Sequence, residues 1–317
     1  MTYELFIKHG TILMFPPVVD GVTVEWERKG QPGKLTFECI KTDNLCFEEG
    51  DACRFSVDGT PLFYGFVFEK QRSGSNNKKI KVTVYDQLYY LKNKDYFQYE
   101  NKTATEVVRM LADDFGLNLG TLENTGYKIA SRTEDNKSLF DIIQNALDET
   151  LKATTQLYVL YDNAGKLTLS NIGNMKIGLV INEDTAGDYD YKSSILNDTY
   201  NKIRLFREGK TPITVKDSNT IKQWGVLQYV EKVTDDSVNL NNMALSLLKL
   251  YNTKTRTLSI KNALGDTRVR AGTLLVLVLG LGDINISNYM LVEQVKHSFK
   301  DGQHLMELKL RGGTFVA

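Results

Sequence analysis

Apolar and polar residues alternate along most of the first 95 residues, with the period of β-strands that bury one face. The clearest runs are residues 35–39 (LTFEC) and 80–84 (IKVTV), in which every second side chain is apolar. Asp58-Gly59 is a tight-turn pair between two further strand-like runs, whereas residues 72–77 (RSGSNN) are polar throughout and are predicted to form a loop. We therefore predict an antiparallel sandwich or barrel here.

Helical spacing replaces this alternation near residue 101. Thr103 followed by Glu106 forms a capping box, and apolar residues then recur every four positions until Gly116. A second helix is predicted after Ser138, which has Asp141 three residues later. Its predicted apolar face consists of Leu139, Ile142, Ile143, Ala146 and Leu147. Residues 157–170 then read as a hairpin around the turn DNAG, so this region is predicted to be a small α+β unit.

β-like alternation returns from about Ile195 and continues to the end of the chain. One helix interrupts it, predicted from apolar residues at helical spacing between residues 240 and 248. The last two predicted strands, residues 289–299 and 303–310, flank the hairpin pair Asp301-Gly302. The most apolar run, residues 274–281, has eight residues against the roughly 20 that a membrane span needs, so we predict a buried strand.

The two β-rich parts share a running order of strands, which suggests duplication of one fold around an insertion. In the first part the order is KLTFECIK, EEGDACRF, LFYGFVFEK and IKVTVYD; in the second it is RTLSIKN, RVRAGTLLVLV, YMLVEQVKHSF and HLMELKL. In each part a charged turn ends at a glycine, Gly50 or Gly272. The predicted division is residues 1–95 for the first β-domain, 96–190 for the inserted α+β domain and 191–317 for the second β-domain with one helix.

Composition narrows the function classes. Among the 317 residues, 42% are hydrophobic and 25% are charged, which is ordinary globular usage. Basic and acidic residues number 39 each, so the formal net charge is zero and nonspecific binding to bulk nucleic acid is not expected. The N-terminal residues MTYELFIKHG lack the basic and apolar segments of a secretory signal, so synthesis in the cytoplasm without export through that route is expected.

Histidine offers the only candidate constellation for chemistry. The chain has three histidines: His9, His297 and His304. A two-residue hairpin turn at residues 301–302 places His304 opposite Phe299, and His297 shares the face of Phe299, so the two imidazoles are expected to approach each other. No cysteine and no third ligand accompanies them, and Glu293 lies two pleats further away. Structural hydrogen-bonding histidines are therefore favoured over a metal or catalytic pair.

Other candidate residues also favour structural roles. The three cysteines, Cys39, Cys46 and Cys53, are seven residues apart, whereas zinc sites use closer pairs, so reduced and mostly buried thiols are predicted. Asp113 and Asp114 are adjacent on a predicted helix, point about 100° apart and are expected to be solvated.

Two further patterns give no binding site either. Gly280-Leu281-Gly282 lacks the third glycine and following helix of a dinucleotide site. The densest basic cluster is predicted to be a solvated hairpin tip and comprises Lys70, Arg72, Lys78, Lys79 and Lys81. No catalytic, cofactor-binding or metal-binding residue and no cofactor is therefore predicted. The 16 tyrosines and 14 phenylalanines favour assembly over chemistry.

A series of segments in constant order resembles the baseplate hub proteins of contractile phage tails. These segments include EEGDACRFSVDGTPLFYGFVFEK, VTVYDQLYYLKNKDYFQYENKTATEVV, TGYKIASRTEDNKSLFDIIQNALDET, YVLYDNAGKLTLSN, DTYNKIRL, QWGVLQYVEKV and VEQVKHSFKDGQHLMELKL. The resemblance is to hubs of PBSX-like prophages, clostridial phages and R-type bacteriocins of the diffocin type, within a late-control-D-like superfamily. It runs from about Leu35 to Arg311, while residues 207–222 look more variable.

This resemblance implies a β-rich α+β fold with two tail-tube-like β-sandwich or barrel domains and an inserted small α+β domain. It further implies a homotrimeric, non-enzymatic hub that adapts a sixfold tail tube to a threefold spike and leaves a central channel. The implied location is the tail baseplate of a virion or bacteriocin particle. The implied partners are the tube protein, the central spike protein, a LysM-containing baseplate protein and wedge or tape-measure proteins, without direct membrane insertion.

Two alternative functions remain open: a tail-associated cell-wall hydrolase and a peptidoglycan-binding module. The lack of a paired-carboxylate, Cys-His or zinc constellation counts against the hydrolase. The lack of a short repeated wall-binding unit counts against the binding module.

Overall fold

Strands dominate the chain. The computed structural model describes residues 1–74, 76–234, 236, 238–280 and 285–312. In chain order the elements are β1 (Tyr3–His9), β2 (Ile12–Met14), β3 (Val18–Glu27), β4 (Lys34–Ile40), β5 (Ala52–Val57), β6 (Thr60–Ser73), β7 (Asn76–Tyr85), β8 (Lys94–Thr103), α1 (Ala104–Asp114), β9 (Leu119–Leu122), β10 (Lys128–Ser138), α2 (Leu139–Thr154), β11 (Tyr158–Asp162), β12 (Leu167–Asn171), β13 (Lys176–Ile181), β14 (Asp188–Ser194), β15 (Lys202–Phe206), β16 (Ile213–Lys216), α3 (Ser218–Trp224), β17 (Gln228–Lys232), α4 (Leu240–Tyr251), β18 (Thr255–Leu264), β19 (Leu274–Gly280), β20 (Asn285–Lys300) and β21 (Gln303–Gly312). Short 3₁₀ helices cover Gln87–Lys92 and Ile172–Met175. The β-rich α+β class predicted from the sequence is confirmed.

The alternating runs form strands with one buried face, as predicted. In β4 every second side chain is buried, and Ile80, Val82 and Val84 of β7 are at most 2% exposed. Asp58 and Gly59 both have positive φ, 46° and 78°, as a two-residue hairpin turn between β5 and β6 requires.

The prediction of a loop over residues 72–77 is wrong in its extent. β6 continues to Ser73 and β7 begins at Asn76, and these two residues pair with each other. Ladder hydrogen bonds join backbone groups, so a polar run can extend a long hairpin as well as an apolar run can.

Thirteen strands of the described chain form one sheet in the order β14-β18-β21-β20-β3-β4-β7-β6-β5-β1-β2, with β19 also paired to β20 and β13 paired to β19. One apolar core serves strands from both ends of the chain, including Phe55 of β5 and Phe299 of β20, whose rings lie 5.0 Å apart. Strand β13 falls within residues 96–190, the range expected for the insertion, and β14 crosses the end of that range, but both strands lie in this sheet.

Residues between β7 and β13 form a separate unit, with β8 paired to β10, a sheet of β11, β12 and β9, and the helices α1 and α2. The predicted capping box is present: Thr103 Oγ1 accepts from Glu106 N, and Thr103 N donates to the Glu106 carboxylate. Ser138 caps α2 by accepting from Asp141 N, and the five residues of the predicted apolar face are at most 7% exposed. Both helix predictions are therefore confirmed.

A further small unit lies between β14 and β18, where β16, β15 and β17 form a sheet that packs against α4. Its core includes Ile203, Leu205, Ala244 and Leu247, each completely buried. The helix expected at residues 240–248 is α4, while α3 in the same region was not predicted. None of the residues of α3 is buried, so it has no apolar face for periodicity to reveal. Among the described residues, no helix is long and apolar enough to cross a bilayer.

Candidate functional site

Two units of the large sheet have the same strand order, and they define the candidate assembly site. The N-terminal unit has the order β3-β4-β7-β6-β5-β1, and the C-terminal unit has the order β14-β18-β21-β20-β19-β13. Four of these strands in each unit are those whose running order suggested duplication, and their pairing order is the same. Only the last pair differs in direction: β1 is antiparallel to β5, whereas β13 is parallel to β19.

The glycines that end the charged turns occupy the same place in the two units. Gly50 and Gly272 have φ of 95° and 96°, and each lies two residues before the next strand. Gly50 N donates to Val67 O at 2.7 Å, and Gly272 N donates to Val292 O at 2.8 Å. In both units the residue after the glycine accepts from the N–H of that valine at 2.9 Å. The match therefore extends to single hydrogen bonds.

A β-bulge also recurs at the same place. The register of β6 against β7 shifts between Val67 and Glu69, and that of β20 against β21 shifts between Val292 and Gln294. Both pairs of equivalent positions are 225 residues apart. Because a bulge bends its strand, each long strand divides into two halves.

The two halves of β20 pair with different strands on the same side. Residues 285–291 pair with β19, and residues 294–299 pair antiparallel with residues 22–27 of β3. This second pairing, which we call the internal seam, joins the C-terminal unit to the N-terminal unit. Arg28 N extends it by donating to Glu293 O at 2.9 Å. The units are thus joined edge to edge through backbone hydrogen bonds.

The sheet around the internal seam has an apolar and a polar face. Val24 and Val295 face the core and are at most 2% exposed. On the opposite face a groove of about 550 Å³ spans the seam between the two units. Its lining includes Glu25 and Lys34, whose charged groups lie 3.0 Å apart, and Lys296, whose Nζ lies 3.2 Å from a carboxylate oxygen of Glu307. The groove therefore lies on a polar face of mixed charge.

The histidine pair is where the hairpin predicts it, with Phe299 paired to His304. His297 Nδ1 lies 2.8 Å from His304 Nε2, and His297 Nε2 donates to Val269 O at 2.9 Å. Burial lowers the pKa of both imidazoles, and their mutual repulsion lowers that of His297 further. Both nitrogens of the completely buried His297 are thus engaged in hydrogen bonds of a neutral pair.

Other sequence candidates do not converge with these histidines. Cys39 and Cys53 are buried, as expected, but Cys46 is exposed. Asp113 and Asp114 are solvated at the end of α1, as predicted. Within the described residues no group of three or more His, Cys, Asp or Glu side chains is placed to hold a metal ion.

The remaining candidates lie near strand ends. In the basic cluster, Lys70 and Lys79 form ion pairs with Glu49 and with Asp20 and are not freely solvated. Gly280 ends β19, while residues 281 and 282 of the Gly-Leu-Gly run lie outside the described residues.

A buried cluster that sequence reasoning missed joins the α+β unit to the large sheet. The Arg270 guanidinium lies 3.9 Å from the centroid of the Tyr161 ring and 5.4 Å from that of Trp26, and it donates to Asp162 O at 2.6 Å. Burial and the nearby Asp162 raise the pKa of Asp86, whose side chain accepts from Gly33 N. A lone arginine in a charged turn looks solvated in sequence, so only the surrounding aromatic rings could reveal its role.

The sequence matches one protein family and is similar to two proteins of Bacillus subtilis. Residues 22–311 match the model of the YqbQ-like family. The chain is 32% identical to the uncharacterized protein YqbQ of Bacillus subtilis strain 168, covering 92% of this chain and 91% of that protein. It is also 32% identical to the phage-like element PBSX protein XkdQ of the same strain, covering 96% of this chain and 95% of that protein.

Two solved structures show the fold at low identity. The tail protein from Neisseria meningitidis MC58 superposes with a TM-score of 0.72 at 11% identity, covering 99% of this chain and 98% of that one. The E. coli c3393 protein superposes with a TM-score of 0.60 at 11% identity, covering 98% and 77%. It is described as a type VI secretion component with structural similarity to the T4 tail proteins gp27 and gp5. The chain therefore belongs to the YqbQ-like family and has the fold of phage tail proteins, which confirms the resemblance to baseplate hub proteins.

Proposed function

We propose that this protein is the baseplate hub of a contractile tail, in which three copies form a closed ring between a sixfold tube and a threefold spike. The observation that carries this proposal is the pair of equivalent units in one chain, joined edge to edge through the internal seam. Three chains with two units each give six positions, so a ring with threefold symmetry presents nearly sixfold contacts to a tube.

The number of strands that would line the proposed channel sets its size. Each unit contributes four strands, namely β3, β4, β7 and β6 or β14, β18, β21 and β20, so three chains contribute 24. Strands about 4.8 Å apart and tilted about 40° give a barrel about 48 Å across its backbone. Side chains of about 5 Å on each wall then leave a lumen of about 38 Å.

The polar groove supports a role for this face of the sheet as the lining of a water-filled channel. Its paired lysine and glutamate side chains favour contact with water, whereas the apolar face of the same strands packs in the core. In this role the protein positions and seals, and no residue is required to break a bond. The tube protein, the spike protein and a LysM-containing baseplate protein are the proposed partners, in a virion or bacteriocin particle.

The experiment is multi-angle light scattering on the purified chain, alone and with its tube protein, followed by imaging of the assembled baseplate. A trimer of about 108 kDa, three times 35.9 kDa, with a central hole is expected. Six copies per baseplate, or a twofold dimer in the particle, would refute the ring.

Incubation with purified cell walls separates the ring from the alternative functions. Release of soluble fragments would indicate a hydrolase, and co-sedimentation without hydrolysis would indicate a wall-binding module. Neither is expected of a hub alone.

A further inference from the structure

Two strand edges of the described chain lack a neighbour that their counterparts have. Residues 60–66 of β6 pair with β5, but along the following residues the described pairings of β6 are with β7 alone. Similarly, β14 pairs with β18 on one side and is the last strand of the sheet on the other. In the internal seam the counterparts of these two edges, β20 and β3, pair with each other.

Residues on these two edges are more exposed to solvent than residues whose strand has neighbours on both sides. Val22 of β3 is 1% exposed, whereas its counterpart in β14, Tyr189, is 41% exposed. Glu69, Gln71 and Arg72 on the free half of β6 are also exposed. An exposed strand edge of this length is a template for pairing with another chain.

We propose that β14 of one copy pairs antiparallel with the free half of β6 in the next copy, repeating the internal seam between chains. This inference rests on the proposed ring and deepens it, because it assigns the edges that close the ring. The two edges differ, so the contact is head-to-tail, as a cyclic trimer requires.

The internal seam predicts the register of this contact. Positions 292–296 of β20 correspond to positions 67–71 of β6 at an offset of 225 residues, and beyond Gln71 the register of β6 against β7 shifts again. Leu35 pairs with a residue of β7 that also pairs with Val67, and Leu258 pairs with a residue of β21 that also pairs with Val292. Because Val67 and Val292 are counterparts, Leu35 and Leu258 are counterparts as well. Val24 pairs with Leu35 and Tyr191 pairs with Leu258, so Tyr191 takes the place of Val24.

Transferring the seam then gives individual pairs. Lys296 lies opposite Glu25, so Gln71 is placed opposite Lys192 of the next copy. Val295 lies opposite Trp26, so Lys70 is placed opposite Ser193.

The transferred register places residues 69–71 of β6 opposite residues 192–194 of β14, and one pair of opposite charges falls within it. Glu69 and Lys192 lie on one face as diagonal neighbours, an arrangement that stabilises antiparallel strands. The second copy is therefore a fitting occupant of both edges.

Disulfide trapping tests the register directly. Arg28 and Glu293 form a hydrogen-bonded pair, because Arg28 N donates to Glu293 O. Hydrogen-bonded and non-hydrogen-bonded pairs alternate along antiparallel strands, so Glu25 and Lys296, three positions further, form a non-hydrogen-bonded pair. Gln71 and Lys192 would be the same kind of pair, with Cα atoms about 4.5 Å apart, within the range of a disulfide. The variant Gln71→Cys/Lys192→Cys, in a Cys46→Ser background that removes the exposed thiol, is oxidised and separated on a denaturing gel.

Covalent dimers and trimers, with nothing larger than a trimer, are the expected products. The control Gln71→Cys/Ser193→Cys places the second thiol on the opposite face and should cross-link about tenfold less. A ladder beyond the trimer would show that the edges pair in an open chain, which overturns ring closure. Equal cross-linking of both variants would overturn the register.

A backbone variant tests the edge without new thiols. Ser193 is the counterpart of Trp26, which forms a hydrogen-bonded pair with Val295 in the internal seam. The N–H of Ser193 therefore points toward the proposed contact with the next copy and not toward β18. Ser193→Pro should preserve the circular dichroism spectrum and weaken trimer formation at least about tenfold relative to Ser193→Ala. Trimers that form normally with this proline and without the cross-link would refute this edge but leave the ring. Absence of trimers in the unmodified protein, together with absence of cross-links, would refute the ring itself.

Discussion

Arg28 and Glu293 form an ion pair across the internal seam, with Arg28 Nε 2.7 Å from Glu293 Oε2. Arg311 binds the same carboxylate, with its Nε 2.6 Å from Oε1. Burial would raise the pKa of Glu293, but the two guanidinium groups outweigh it and hold this pKa below its ordinary value. The shared carboxylate on β20 therefore connects Arg28, which follows β3, with Arg311 of β21 at the bulge.

We expect Glu293→Gln to destabilise the fold by about 1–3 kcal/mol, because two partly buried arginines lose their counter-charge. Urea denaturation at pH 7 measures this change. A carboxyl with a lowered pKa stabilises the fold above its unfolded pKa, and this contribution is lost as the pH falls through the folded pKa. The variant should therefore lose less stability than the wild type below about pH 4.5.

Glu307→Gln is the matched control, because its ion pair with Lys296 is on the polar face and more exposed. Its effect should be within about 1 kcal/mol. Equal effects of the two variants would contradict a role for Glu293 at the seam.

His304→Gln should remove part of the acid sensitivity of the fold. The pKa of His304 is lowered to about 4, so below pH 6.5 the unfolded chain takes up a proton that the folded pair does not. The free energy of unfolding of the wild type therefore falls between pH 6.5 and 4, and the variant should show a shallower slope. At pH 7.5 the variant should lose about 1–3 kcal/mol, the cost of a lost buried hydrogen bond.

The same variant checks whether the histidines have a chemical role. Particles assembled with His304→Gln or His297→Gln should remain active in infection or killing. Well-folded, fully assembled particles without activity would contradict the structural role. His9→Gln, which changes a more exposed histidine paired with Asp51, serves as the control.

The equivalent glycines give a paired test of the repeat. Both Gly50→Ala and Gly272→Ala force a side chain into positive φ and should cost about 1–3 kcal/mol. A Cβ at Gly50 meets no atom within 4 Å, whereas one at Gly272 would lie 2.9 Å from Val159 and 3.0 Å from Met175. Gly272→Ala should therefore cost about 1–3 kcal/mol more, measured by thermal or urea unfolding. Equal losses would show that the α+β unit yields at this contact.

Local patterns in the sequence predicted the elements that have a cap, a tight turn or an apolar face, and the strand order of the repeat. The capping box at Thr103, the turn at Asp58 and the hairpin at Asp301 depend on neighbouring residues, so they are visible in one dimension. The pairing of Val24 with His297 joins residues far apart through backbone groups that every residue possesses. Such pairing has no side-chain signature, which is why the internal seam and the positions of β13 and β14 appear only in the structure.

The internal seam also bears on how such a ring would begin to form. Because β3 and β20 belong to one chain, three of the six seams in the proposed ring close during folding and are insensitive to protein concentration. The concentration of assembled rings then varies with the third power of the concentration of free chains. A ring of six separate units would vary with the sixth power. A hub built in this way can close at a low copy number while the tube subunits above it are still unassembled.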